Sequence, residues 1–136
     1  MVRENIINYI GIQHNYLKTN CITIIDDFYT NELGINCIKE LIPSDVKNRR
    51  WMREVSLKNI NDWALKHGIK VPLTEAQDFD VMVFESKKSK YPIHFGMFLK
   101  PCKMLHLEEG RTSRYETISN EWADCIFALY RHHDMV

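Results

Sequence analysis

Among the side chains of this chain, the cysteines and histidines carry the most obvious chemistry. There are four cysteines, Cys21, Cys37, Cys102 and Cys125. No two stand in a C-x-x-C pair, which argues against a structural zinc site. Their scattering does not resemble a disulfide-stapled scaffold either. Cys37, Cys102 and Cys125 read as small buried hydrophobes. Cys21 differs because it follows Asn20 and opens the apolar pattern Ile24, Ile25, Phe28, Leu33, which has helical spacing. Asn20 is suited to cap that helix, since its side-chain oxygen can accept from an unpaired backbone N–H. The sequence therefore places a thiol at the start of a helix.

Two histidines lie in short apolar runs. His94 is in Ile93-His94-Phe95-Gly96-Met97-Phe98-Leu99, and His106 closes Met104-Leu105-His106. Both runs read as strands, joined by a turn at Lys100-Pro101-Cys102-Lys103. Side chains alternate along a strand, so His94, Gly96 and Phe98 share one face, and pairing of the strands brings the two imidazoles together.

A thiol attacks a carbonyl carbon as its thiolate, and an ordinary cysteine, with a pKa of about 8.5, is mostly protonated at neutral pH. A helix N-terminus favours the anion, and a neighbouring imidazole can take the proton. Both effects are expected at Cys21 if the helix docks on the His94 face of the sheet, where Gly96 has no side chain to hold it away. Cys21 is then the nucleophile and His94 the base. His106 orients the His94 ring, as an acid does in serine triads. This chemistry calls for no metal and no cofactor. His132 and His133 belong to the polar run Arg131-His132-His133-Asp134, expected to be solvated rather than metal-binding.

The elements that must position these residues follow from periodicity and punctuation. Val2 to Ile12 reads as a short helix stopped by Gly11, and His14 to Asn20 as a loop. The Cys21 helix runs to Leu33, with Gly34 as its stop. Ser44 to Glu54 and Ser56 to His67 read as two helices, the first capped by Ser44 and the second followed by Gly68. Trp51 and Trp63 are expected in the core. The basic stretch Lys47 to Arg53 reads as a solvated face. Beyond Pro72 the period becomes strand-like at Asp80 to Phe84, Tyr115 to Ile118 and Asp124 to Tyr130, with Trp122 packing nearby. Ser86 to Tyr91 reads as a lysine-rich loop. Helices first and strands second imply an α+β fold, with the N-terminal helices packed on a mostly antiparallel sheet.

Composition sets the outer limits. A chain of 136 residues with 45% apolar residues suits one domain, 1–136, with one core. Eighteen basic residues balance eighteen acidic ones, so the basic excess typical of a nucleic-acid binder is missing. No apolar run approaches the roughly 18 residues of a membrane span. The opening Met1-Val2-Arg3-Glu4-Asn5-Ile6-Ile7 lacks the apolar core of a secretion signal, which implies synthesis in a cytoplasm without signal-dependent export.

The order of these motifs resembles the NlpC (p-sixty) cysteine peptidases, which have a reduced papain-like fold. In that family a helix-start Cys is followed by a Gly-Asp-Leu-Val-like strand, a His-Val-Gly-Ile-Tyr-like strand, and a second His about twelve residues after the first. Here Asp80-Val81-Met82-Val83-Phe84 and His94-Phe95-Gly96-Met97-Phe98 stand in those places, with His106 twelve positions beyond His94. The segments Tyr9-Ile10-Gly11-Ile12-Gln13-His14 and Leu33-Gly34-Ile35 are similar to the phage-tail branch. Asn20-Cys21-Ile22-Thr23 departs from the usual Asp-Cys-Ser-Gly or Asp-Cys-Trp-Gly.

The resemblance implies a cell-wall endopeptidase that cuts the peptidoglycan stem peptide, carried in the virion on a phage tail. Other tail or baseplate proteins would be its partners. Cys21, His94 and His106 take the catalytic places. The backbone N–H of Cys21 would be one oxyanion donor, with His14 or Tyr16 supplying the other. The departure at Cys21 keeps a second reading open, in which the fold serves as a structural tail component with weakened or lost activity.

Overall fold

A computed structural model describes residues 2–15, 18–42, 49–85 and 93–136, and the side chains from residue 53 onward within the third segment. Tyr16, the Ser44 cap, the Ser86 to Tyr91 loop and the Trp51 side chain lie outside the described residues.

The chain opens with a 3-10 helix, Val2–Tyr9. Gly11 then takes a left-handed φ of +82°, which a side chain would disfavour. The segment beyond it runs beside residues 111–113: Gly11 N–H donates to Ser113 O, His14 N–H to Arg111 O, and Ser113 N–H to Ile12 O, at 2.8–2.9 Å. Helix α1, Cys21–Phe28, passes into a wider π turn at Tyr29–Leu33 and stops at Gly34, φ +69°. Asn20 caps α1, as its sequence position implies. Its Oδ1 accepts from Ile22 N–H at 2.9 Å and Thr23 N–H at 3.1 Å, while Asn20 N–H donates to Thr23 Oγ1 at 2.7 Å.

Helix α2 is continuous over Arg49–His67, where the sequence reading placed a break between two helices at Val55-Ser56. Ser56 is buried inside that helix, so its polar side chain marks an inward position and not a boundary. Strand β1, Gly68–Val71, follows at once. Strands β2, Val81–Glu85, β3, Ile93–Leu99, β4, Lys103–His106, and β5, Arg114–Thr117, come next. The short helix α3, Asn120–Ala123, and strand β6, Ile126–His132, complete the main elements.

The six described strands form one sheet in the order β1-β6-β2-β3-β4-β5, with every pairing antiparallel. Both faces are covered, which is why all seven residues of β3 are buried. Phe95, Met97 and Leu99 point to the larger core, among Ile24, Ile25 and Phe28 of α1 and Ile60 and Trp63 of α2. Met82, Phe84, Phe98 and Met104 form a smaller cluster on the other face, with Trp122 of α3 packed against it. The architecture is α+β with helices packed on an antiparallel sheet, and α3 adds cover on the second face.

The run Arg131 to Asp134 is not the solvated tail expected. Arg131 and His132 belong to β6, and His132 is buried. Arg131 grips the fully buried Asp80 through Nε–Oδ1 and Nη2–Oδ2 contacts of 2.9 Å each. Gln77 N–H also donates to Asp80 Oδ2 at 2.9 Å. Asp80 therefore anchors the entry to β2. Its partner lies 51 residues away, which is why local polarity misread the tail.

Candidate active site

The sheet register places the two histidines. Gly96 stands opposite His106 on β4, and Phe84 on β2 stands opposite His94. His94 and His106 thus lie diagonally on one face, and His94 Nε2 is 3.0 Å from His106 Nδ1. The rings meet edge to face, with centroids 5.2 Å apart. Trp122 stacks on His94 at 5.0 Å, and Phe84 lies 5.9 Å from it on the same face.

A third group joins this pair that the sequence reading did not name. Glu116 Oε2 lies 3.5 Å from His106 Nε2 and 3.4 Å from Arg114 Nη1. At 3.5 Å the imidazole contact is long, and His106 Nε2 is otherwise a buried atom without a hydrogen-bond partner. Residues 114 and 116 pair with His106 and Met104, so alternation along β5 puts Glu116 on the histidine face. That alternation was available in the sequence, but the pairing of β5 with β4 was not.

The carboxylate favours one arrangement of the protons on both rings. A carboxylate only accepts, which favours the His106 proton on Nε2 and leaves its Nδ1 as acceptor. In that arrangement His94 donates from Nε2 to His106 Nδ1 and keeps a lone pair on its own Nδ1. Among the described residues His94 Nδ1 makes no hydrogen bond. This is the tautomer a general base needs, and it is built from Glu116 inward.

Cys21 reaches this region from α1. Its sulfur lies where the N–H groups of Phe95, Cys21 itself and Ile22 favour a thiolate. Phe95 directly follows His94, so the thiol sits against β3 one residue along from the ring. The body of α1, however, docks on the Phe95 face and not on the His94 face, contrary to the sequence expectation. The reason is side-chain volume: Phe95, Met97 and Leu99 offer more apolar surface to Ile24, Ile25 and Phe28 than His94 and Gly96 do. Gly96 does not admit the helix. A Cβ there would meet Phe84 Cε2 at 3.3 Å and His106 Cβ at 3.6 Å, so the missing side chain makes room for the aromatic cluster around the histidines.

The titration behaviour also departs from expectation. Cys21 is half-buried as a residue, yet its sulfur is densely surrounded, and burial pushes the thiol up to about 11 against the pull of the three backbone N–H groups. Burial, reinforced by His106, holds His94 well below the ordinary histidine value. Burial also lowers His106, partly offset by Glu116 and Glu108. The resting pair is therefore a neutral thiol and a neutral imidazole, because desolvation outweighs the helix end.

His14 is half-buried, and its backbone is tied to Arg111 in the segment beyond His106. Its ring makes no hydrogen bond among the described residues. Tyr16, the other residue named for the oxyanion role, lies outside them.

Sequence comparison matches no protein-family model and no curated protein. Solved structures do match. An NLP/P60 family protein from Staphylococcus aureus Mu50, described as similar to a lipoprotein, aligns with a TM-score of 0.61 at 16% identity. The alignment covers 96% of this chain and 39% of that one. An NlpC/P60 family protein from Bacillus cereus ATCC 10987 aligns with a TM-score of 0.62 at 17% identity, over 95% and 39% of the two chains. The chain has the NlpC/P60 fold. It spans about two-fifths of the length of these neighbours. At this identity the likeness concerns the NlpC/P60 fold, and residue roles have to be argued from this chain's own side chains. No helix among the described residues is long and apolar enough to cross a membrane.

Proposed function

We propose that this NlpC/P60-fold chain is a cysteine endopeptidase of bacterial cell wall that hydrolyses the stem peptide of peptidoglycan, at a bond following D-glutamate. The observation that carries the reading is the Cys21 sulfur at the capped tip of α1, against the N–H of the residue after His94, whose ring is hydrogen-bonded to His106. Cys21 Sγ attacks the carbonyl carbon, and His94 Nδ1 takes its proton and later delivers it to the leaving amine. His106 holds the His94 ring, and Glu116 fixes the tautomer of both. The Cys21 N–H donates to the developing oxyanion, with His14 or Tyr16 as second donor. The phage-tail-like segments named above support a place on a virion tail, in contact with other tail or baseplate proteins.

A second reading, a tail or baseplate component that keeps the fold with reduced chemistry, draws on the thiol raised to about 11 and on Trp122 stacked over His94. Digestion of purified cell-wall fragments separates the two. Release of a cut stem peptide by the wild type and not by Cys21→Ala is the expected result. Equal product, or none, from both proteins would overturn the enzymatic reading.

A further inference from the structure

A separate cluster of metal-competent side chains lies where α2 ends beside β6. Cys37 Sγ, a ring nitrogen of His67 and a ring nitrogen of His132 all lie within 4.8 Å of one another. They come from three distant places: the segment after the Gly34 turn, the last residue of α2, and the last residue of β6. His133 and Asp134 adjoin them, since His132, His133 and Asp134 form a second group of the same kind. We propose that Cys37, His67 and His132 bind zinc(II), with Asp134 or water completing a tetrahedral shell.

The donor set fits that ion. One thiolate and two imidazoles are borderline-soft ligands of the sort zinc takes in tetrahedral sites. Ligand atoms around such an ion stand about 3.5 Å apart, given bond lengths of about 2.3 Å to sulfur and 2.0–2.1 Å to nitrogen. Small side-chain rotations close the remaining gap. The His67 and His132 rings already lie side by side, with centroids 6.0 Å apart.

The surrounding groups point the same way. Glu40 Oε2 lies 3.0 Å from His67 Nε2, where the carboxylate accepts the Nε2 proton and leaves the lone pair on Nδ1. A carboxylate holding the far nitrogen is the usual support of a metal-bound histidine. Trp63 Nε1 is a buried donor without a hydrogen-bond partner, and the acceptor it faces is the Cys37 sulfur. A thiol is a weak acceptor and a zinc-bound thiolate a good one, so the ion would relieve an orphaned donor.

The protons balance simply. Binding releases the Cys37 thiol proton to solvent. His132 takes the ion on Nδ1, giving up the 3.1 Å bond from Asp134 N–H, or on Nε2, with its proton moved to Nδ1, where Asp134 Oδ2 stands 3.8 Å away. None of these residues belongs to the Cys21–His94–His106 group, so the proposal stands or falls apart from the peptidase reading. Its effect is to clamp the Cys37 segment and the end of α2 to the edge of the sheet.

The test is titration of the metal-free full chain with cobalt(II), then zinc(II) in competition with a chromophoric chelator. One equivalent should bind, with a thiolate-to-cobalt charge-transfer band and tetrahedral ligand-field bands. Cys37→Ser should lose the charge-transfer band, whereas Cys102→Ser should keep it. Because Cys37 is buried and its variant can fail to fold, His67→Gln at a half-buried position provides a second arm. Folded His67→Gln should bind zinc at least about a hundredfold more weakly, since outer-shell changes alone cost 10- to 100-fold. Absence of the charge-transfer band in the wild type, or unchanged zinc affinity in folded His67→Gln, would overturn the proposal.

Discussion

The raised Cys21 thiol makes a quantitative prediction about alkylation. With the thiol at about 11, only about 0.03% is thiolate at pH 7.5, against about 10% for an ordinary cysteine near 8.5. Ionisation alone thus slows reaction with iodoacetamide about 300-fold. A more basic thiolate is also more nucleophilic, with a Brønsted slope of about 0.4–0.5, which returns about a factor of ten. Cys21 should therefore react about thirtyfold more slowly than free cysteine, and more slowly still if burial restricts the reagent. Its rate should climb about tenfold per pH unit from pH 7 to pH 10 with no plateau. Mass-spectrometric mapping of labelled peptides across that range reads the rate at Cys21 apart from the other three cysteines. A plateau beginning below pH 8, or labelling faster than free cysteine, would refute the argument and show a preformed thiolate–imidazolium pair. The same gap bears on turnover. Moving the proton from a thiol at about 11 to an imidazole below the ordinary 6.5 costs at least about 6 kcal/mol before attraction between the ions is counted.

Four further outcomes are expected. Glu116→Gln removes the charge that sets the tautomers, so kcat on stem peptide should fall about tenfold with KM little changed, the scale of a charge-assisted hydrogen bond; an unchanged kcat and pH profile would exclude this positioning role. His94, His106 and His132 are all lowered by burial, so the unfolded chain binds more protons below pH 6.5. Urea-unfolding stability should then fall as pH drops from 6.5 towards the folded values, by up to about 1.4 kcal/mol per pH unit for each ring, and stay level above that window. Asp80→Ala strands Arg131 against a buried site and should destabilise by about 3 kcal/mol, measured by urea midpoint. Asn20→Ala should cost about 1 kcal/mol of stability while lowering the pH at which Cys21 alkylates, because two backbone donors are released beside the sulfur; a stability loss with no change in the alkylation profile would separate the cap from the thiol.

What the sequence made legible was local. Strand β3 has the bounds its alternation implies, α1 starts at Cys21 with Asn20 as its cap, and the twelve-residue spacing does bring His94 to His106. Alternation also put His94, Gly96 and Phe98 on one face. It could not say which face takes the helix, because that depends on the summed apolar surface of the facing elements. What escaped was non-local. Strand β1 has two exposed residues among its four, and its pairing with β6 gives it strand structure that its own pattern does not announce. Arg131 and His132 look like solvated polar residues until Asp80 and α2 are placed against them. Glu116 gains its role from the β4–β5 register. Cys37, His67 and His132 are too far apart in sequence to suggest a ligand spacing.

At the tip of α1, stability and reactivity compete for the same N–H groups. A helix leaves its first backbone donors unpaired, and an anion placed there gains from them. Asn20 already accepts from Ile22 and Thr23, and Thr23 returns a side-chain oxygen to Asn20 N–H, so the closed capping box stabilises the helix. Cys21 N–H and Phe95 N–H are left for the sulfur, with Ile22 N–H shared. Under the proposed mechanism the Cys21 N–H is a donor that the thiolate uses before attack and the oxyanion after it. A substrate carbonyl arriving beside Cys21 would take the Cys21 N–H as negative charge passes from sulfur to oxygen, so one donor serves both stages in turn. On the proposed mechanism the neutral thiol is a resting state, and the raised thiol and lowered imidazole favour proton transfer in step with bond formation rather than ahead of it.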